Sequence, residues 1–307
     1  MQYQCVDCGG SMSLNNNQYT CLACHRTYTA DSGVFDARSS QLSELAKEEA
    51  LYHDHIDEDA CETHQLSAWR NVFYHQYVWN FLTKVPKHAT LVEVGAGIGF
   101  DAEQIYDQDK TLVLADISAE TLKRVARRLN KNNIQYVAAD GAQPPFADES
   151  CDVVYMIAVW HHFEKPGEAL EEWRRILKKD GQLVIGVEPN RFYFYPIKKL
   201  RPFLCHAIHA DEHEGSHADA EMEGFSYGQI QKYLGSGWRN VTIRPMWLFG
   251  GWMHYGLEFI YRVFHLKKRI QPPLWVEKMI VGFDELLFRI PGVRHLCWHW
   301  IVTAQKV

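Results

Sequence analysis

The sequence predicts an α/β protein: a parallel sheet with helices on both faces, preceded by a small metal-stapled module. Three observations carry this. From Thr90 onward, short apolar runs alternate with helical patterns. The first run ends in a glycine-rich turn, Gly95-Ala96-Gly97-Ile98-Gly99. Four of the eight cysteines fall within the first 24 residues.

The chain has 307 residues, enough for one large domain and one small module. Hydrophobic residues make up 47% and charged residues 23%, the balance of a core-forming protein. The net charge of −6 argues against a general nucleic-acid binder, which carries a basic excess. The first ten residues are polar and contain two cysteines, so no signal peptide is expected. No uncharged apolar run of about 18 residues appears, so no membrane span is expected. These features point to a cytoplasmic protein.

Cys5-Val-Asp-Cys8 and Cys21-Leu-Ala-Cys24 are two C-x-x-C knuckles with twelve residues between them. Each knuckle puts two thiolates on one tight turn, and two facing turns complete a tetrahedron around one zinc ion. His25 offers an alternative fourth ligand. A four-ligand site has no open position, so the expected Zn2+ is structural and supplies the folding free energy of a module with almost no core. The stretch from Tyr3 to Phe35 resembles the Trm112-like zinc ribbon family, whose members are partners of, or fused to, methyltransferases.

Residues from Ser39 to Lys87 read as helical and close at Pro86. His53, His55, Asp57, Asp59 and His64 fit no zinc spacing and read as a solvated polar turn. A helix just before the first strand could lie over a cofactor.

Strands are expected at Leu91 to Val94, Leu112 to Ala115, Ile134 to Ala138, Val153 to Ile157 and Leu183 to Val187. The first leads into Glu93-Val94-Gly95-Ala96-Gly97-Ile98-Gly99, where Phe100 breaks the dinucleotide pattern. Asp116 ends the second strand, 21 residues beyond Gly95, where a carboxylate can accept two ribose hydroxyls. Asp140 ends the third, where a carboxylate can accept an adenine amino group. Three strand ends in register make a set of unrelated turn residues improbable.

The segment from Leu91 to Asn190 resembles class I methyltransferases of the ubiquinone-biosynthesis-like group, which use S-adenosylmethionine (SAM). The matching stretches are Val92 to Gly99, Asp116-Ile117-Ser118, Ala139-Asp140-Gly141-Ala142, Pro145 to Val154 and Val159-Trp160-His161-His162-Phe163. The resemblance implies a Rossmann-like, seven-stranded methyltransferase sheet. It implies that Glu93 and the loop Gly95, Ala96, Gly97 and Gly99 hold the methionine part of SAM. Asp116 and Ile117 would take the ribose, and Asp140, Gly141 and Ala142 the adenine. Trp160 departs from the aliphatic residue of the group and is expected to shape the acceptor pocket. The implied organisation is a zinc ribbon over 1–38, a helical linker over 39–88 and a methyltransferase domain over 89–307.

Methyl transfer needs a nucleophile in line with the S–CH3 bond and exclusion of water. An oxygen nucleophile also needs a base. His161 and His162, after the fourth strand, are the candidate bases; the resemblance favours a structural role for the pair. Glu188 and Asn190 are further polar candidates. Cap segments are expected at about 192–227 and 249–292. In the first, His206, His209, His213 and His217 could share a helix face, though the surrounding acids read as a polar lid. Met246 to Leu266, which opens the second, is rich in aromatics and is followed by Lys267-Lys268-Arg269. It reads as a buried cap helix over the acceptor, with peripheral membrane contact as the alternative. The acceptor is expected to be a small molecule, a glycan or a lipid-linked compound. A ribosomal or transfer RNA methyltransferase that uses its ribbon for RNA contact, and a non-catalytic SAM-binding or scaffold protein, are the competing readings.

Overall fold

Strands buried on both faces read as nearly continuous apolar runs, and Leu91, Val92, Val94, Leu112, Val113 and Leu114 are all within 1% of full burial. The computed structural model describes residues 1–15, 18–55, 68–208 and 222–307. After residue 89 it contains strands β5 (Thr90–Val94), β6 (Thr111–Asp116), β7 (Ile134–Ala138), β8 (Cys151–Ile157), β9 (Leu177–Pro189), β10 (Trp238–Met246) and β11 (His299–Lys306). Their order is β7-β6-β5-β8-β9-β11-β10, and β11 alone runs antiparallel to its neighbours. The carboxyl ends of the other six therefore share one edge.

The sheet does not stop at seven strands. The N-terminal module contributes β1 (Met12–Asn15), β2 (Gln18–Cys21), β3 (Thr27–Asp31) and β4 (Val34–Asp36). β4 pairs parallel with β7, Val34 opposite Tyr136 and Asp36 opposite Ala138, which makes one continuous sheet of eleven strands. The physical reason is the outer edge of β7, a row of amide and carbonyl groups that pairing satisfies. The chain start is stitched to the domain as well: the Gln4 amide donates to Pro145 O, the Ala147 amide to Gln2 O, and Tyr3 packs against Phe35 and Phe146.

Nine α-helices are described: α1 (Glu44–Asp54), α2 (Ala68–Leu82), α3 (Phe100–Ile105), α4 (Ala119–Leu129), α5 (Pro166–Ile176), α6 (Arg191–Ile208), α7 (Tyr227–Leu234), α8 (Phe249–Val263) and α9 (Leu274–Leu287). Val78 and Leu82 of α2, Ile105 of α3 and Leu122 and Val125 of α4 cover one face of the sheet. Leu170 and Trp173 of α5 and Ile230 of α7 cover the other, in one core with Cys5, Cys21 and Phe35 of the module.

The expected second cap differs in kind from a buried helix. On α8 only Gly250, Gly251 and His254 are buried, and on α9 only Glu277 and Asp284. The expected histidine group at 206–217, like Asp57, Asp59 and His64, lies outside the described side chains.

Candidate active site

β5 delivers its carboxyl end into a turn that only glycine accepts without strain. Gly95, Gly97 and Gly99 all have positive φ, at 70°, 48° and 70°. A side chain on Gly95 would strike Val159 at 2.5 Å, whereas Gly97 faces open space. That space is a cavity of about 810 Å³ on the carboxyl edge, at the upper end of the size of small-ligand sites. Gly95, Gly97, Asp116, Ile117, Asp140, Gly141 and Ala142 line it.

Each strand end is held by local hydrogen bonds. The Gly97 amide donates to Asp116 Oδ2 at 2.7 Å and the Ser118 amide to Asp116 Oδ1 at 2.9 Å, so one carboxylate ties the glycine loop to the start of α4. The Ala142 amide donates to Asp140 Oδ1 at 2.8 Å. Burial nevertheless raises the Asp140 carboxyl above its ordinary range. Gly141 is fixed by packing, because a Cβ there would meet Val94 and Phe163 below 3 Å.

Three of the expected cofactor residues stand behind this wall rather than in it. Glu93 is 3% exposed, accepts from Tyr155 Oη at 2.8 Å, and has its carboxyl raised well above the usual range by burial, then by Asp101. Ala96 is buried, and a side chain on Gly99 would point at Val125.

The histidine pair divides. His162 lines the cavity. His161 has a side chain only 4% exposed, with Nδ1 3.0 Å from Glu188 Oε2. Glu188 is fully buried and also accepts the amides of Val159, Trp160 and His161. It is the clamp of the turn after β8. Backbone strain accompanies it: Ala158 in the turn and Val187 on β9 have φ of 55° and 58°, the left-handed region that a β-branched residue such as valine avoids.

Two further expectations are corrected here. Trp160 does not face the cavity; it is fully buried, stacked on Phe225 at 4.4 Å, and donates Nε1–H to Pro166 O. Asn190 is spent on structure, donating Nδ2–H to Cys297 O at 2.7 Å and to His295 O at 3.0 Å.

Sequence reasoning missed the roof of the site. Ser43, Leu45, Ala46, Glu49 and His53 of α1 and its cap close over the cavity. His53 is thus on the last turn of a helix against the site, not in a solvated turn. Glu49, 7% exposed, brings Oε2 to 3.4 Å from His162 Nδ1 and 3.5 Å from His53 Nε2. The roof is pinned to α4: Ser118 Oγ donates to Asp54 Oδ1 at 2.6 Å, Thr121 Oγ1 to His53 O at 2.7 Å, and Arg124 to Asp54 O. α2, which immediately precedes β5, packs instead on β8 and β9. Helical composition announced α1, but nothing in its spacing said where it docks.

Counting rim and roof, seven carboxylates border the cavity: Glu49, Asp116, Asp140, Glu164, Glu168, Glu171 and Glu172. Such a lining favours a cationic ligand. Among the described residues, neither cap segment lines it.

Comparison with known proteins agrees with this geometry. Residues 92–185 match the family described as methyltransferase domain. This segment is similar to methyltransferase domains. The chain is 29% identical over 151 residues to a demethylmenaquinone methyltransferase of Renibacterium salmoninarum, covering 49% of this chain and 60% of that protein. It is 26% identical over 201 residues to a 2-methyl-6-phytyl-1,4-hydroquinone methyltransferase of Synechocystis, covering 59% and 61%. The chain thus spans about three fifths of the length of these relatives. Its fold is shared with geranyl diphosphate C-methyltransferase of Streptomyces coelicolor, at a TM-score of 0.55 and 14% identity over 87% of this chain and all of that one.

At the far edge of the sheet, the sulfurs of Cys5, Cys8, Cys21 and Cys24 lie within 4.8 Å of one another. Cys5 and Cys24 are 3.8 Å apart, Cys8 and Cys21 3.4 Å. His25 is not in the cluster.

Proposed function

We propose that the protein transfers the methyl group of SAM to a small-molecule acceptor by in-line displacement. One observation carries the reading: the glycine loop, Asp116 and Asp140 converge from three adjacent strand ends on one acid-lined cavity. SAM supplies a sulfonium-activated methyl group. Asp116 accepts the ribose hydroxyls, and Asp140 with the Gly141–Ala142 backbone takes the adenine. The Gly95–Gly97 backbone lets the methionine part approach closely. Glu93 acts from beneath by tying β5, which carries the loop, to β8 through Tyr155. His162 is the base at the cavity wall, oriented by Glu49, and His161 with Glu188 fixes the turn that presents it. α1 excludes water from above.

For the acceptor, the relatives are named for demethylmenaquinone and for a hydroquinone bearing a phytyl chain. A ring-bearing small molecule of that class is the favoured substrate. The test is calorimetry with SAM, followed by turnover on a panel of hydroquinones. Parent protein that fails to bind SAM, or an Asp116→Ala variant that binds it equally well, would falsify the assignment.

We infer further that the cysteine cluster holds one structural zinc. A tetrahedron of Zn–S bonds has sulfurs about 3.8 Å apart, close to the spacings here. Freshly purified protein should contain one zinc per chain by elemental analysis, and Cys21→Ser should lose it. Metal-free protein in the absence of chelators overturns the inference.

A further inference from the structure

The α8–α9 hairpin is built inside out. Three of its polar side chains are buried against the protein: His254 is 6% exposed, Glu277 5% and Asp284 1%. Glu277 Oε1 lies 3.3 Å from Arg70 Nε, and the Asp284 carboxylate accepts the amides of Leu248, Phe249 and Gly250, capping α8 across the hairpin. Its apolar side chains face outward. Phe249, Trp252 and Phe259 follow one line of α8, and Trp275, Met279 and Phe283 one line of α9, at helical three- and four-residue steps. Phe249 and Phe283 stack at 5.8 Å, so the two lines form one face. α6 extends it: Tyr193 meets Trp252 edge-on at 5.6 Å, and Phe192 and Phe203 are exposed beyond. Of 25 exposed large hydrophobics among the described residues, 17 lie in 192–203 and 249–290, a concentration that scattered surface residues do not give.

The charge of this region is opposite to that of the chain. Residues 191–208 and 249–294 carry eleven Lys and Arg against four Asp and Glu, whereas the whole chain has a net charge of −6. Lys267 and Lys268 sit exposed at the turn of the hairpin, and Arg289 at the end of α9. Exposed tryptophans beside cations on an outward apolar face suit the boundary between lipid headgroups and acyl chains. No described helix is long and apolar enough to cross a membrane, so the face can lie on a bilayer but not span one.

We propose that this face of α6, α8 and α9 docks on the surface of an anionic phospholipid bilayer. α6 leaves β9 and α8 leaves β10 at the same sheet edge that carries His161 and His162, since Met246, His299 and Pro189 are in register. Docking would therefore turn the edge that bears the cavity towards the lipid. The proposal does not depend on methyl transfer, and SAM calorimetry on the same sample reports that reading separately.

The test is flotation of the full chain with phosphatidylcholine vesicles, with and without phosphatidylglycerol. The parent should float with anionic vesicles at low salt, and less at high salt. A Phe264→Ser, Trp275→Ser, Met279→Ser triple variant removes only well-exposed side chains and should bind about tenfold less or weaker. Lys267→Glu with Lys268→Glu should lose the salt-sensitive part, with unchanged circular dichroism in both variants. Absence of parent binding, equal binding by the triple variant, or equal binding to neutral vesicles overturns the proposal. So does a parent dimer by light scattering that the triple variant converts to monomer, because the face would then be covered by a second copy.

Discussion

The half of the carboxyl edge built by β5 to β8 and the half built by β9 and β10 solve opposite problems. The first gathers polar groups around an empty volume. Its carboxylates converge on the cavity, its loop exposes backbone, and α1 closes it with Glu49 and His53. The second buries His254, Glu277 and Asp284 and presents aromatics to the exterior. Charged ligands need fixed, convergent partners, whereas an apolar surroundings needs only area. One sheet edge can carry both because the strands supply rigid starting points and the segments between them are free to differ.

The largest expected effect breaks the first half alone. Gly97→Val puts a β-branched side chain at a φ of 48° and into the cavity. Strain of about 1–3 kcal/mol plus occupied ligand space should weaken SAM binding on the order of a thousandfold, with vesicle binding unchanged. Calorimetry and flotation on one preparation read both halves.

Next in size is the proposed base, His162. Glu49→Gln removes the charge beside His162 Nδ1 and His53 Nε2. Turnover should fall by about a hundredfold with SAM affinity nearly intact. His162→Asn should lower turnover similarly, and the double variant no further than the worse single one. Additive losses would separate the two residues.

The acid response sharpens the second half. Burial, then the Arg70 charge, lowers the His254 pKa from 6.5 to about 3; burial, then His254, does the same for His299. Both are neutral when folded, and the unfolded chain binds their protons first. Their stabilisation is complete above pH 6.5 and is lost as the pH falls towards about 3. The region around α8 and β11 should loosen over that window. His299→Gln should flatten the stability profile there, measured by urea melts at stepped pH.

Smallest is the reciprocal control. The Phe264→Ser, Trp275→Ser, Met279→Ser variant should bind SAM within about twofold of the parent and keep its melting free energy within about 1 kcal/mol, because exposed substitutions cost little. A collapse in SAM affinity would mean that the two halves are coupled.

Much of the first half was legible because strand ends in a parallel sheet converge by topology: Gly95, Asp116 and Asp140 are far apart in sequence yet must share an edge. The cysteine pairs were legible for a similar reason, since two knuckles predict one cluster. Burial was less readable. Trp160 and His161 carry the right chemistry in the right loop, but which way they face depends on the turn Glu188 clamps through contacts 27 to 29 residues away, while Tyr155 turns Glu93 inward and Cys297 holds Asn190. The inverted hairpin misled periodicity outright, because an apolar stripe does not say which side of it is water. The docking of α1 rests on Asp54 meeting Ser118, a contact 64 residues distant.

The pairing of β4 with β7 has a kinetic consequence. Val34 must wait for Tyr136, some hundred residues later on a chain made from its N-terminus. Parallel pairing over such a separation is slow, since the loop must close before the contact is formed. During synthesis the cysteine module can fold its own hairpins, but its last strand stays an open edge until the third strand of the domain emerges. The module is thus made first and anchored late, and a stall in the intervening stretch would leave its thiols and that strand edge exposed together, a state prone to oxidation and misassembly.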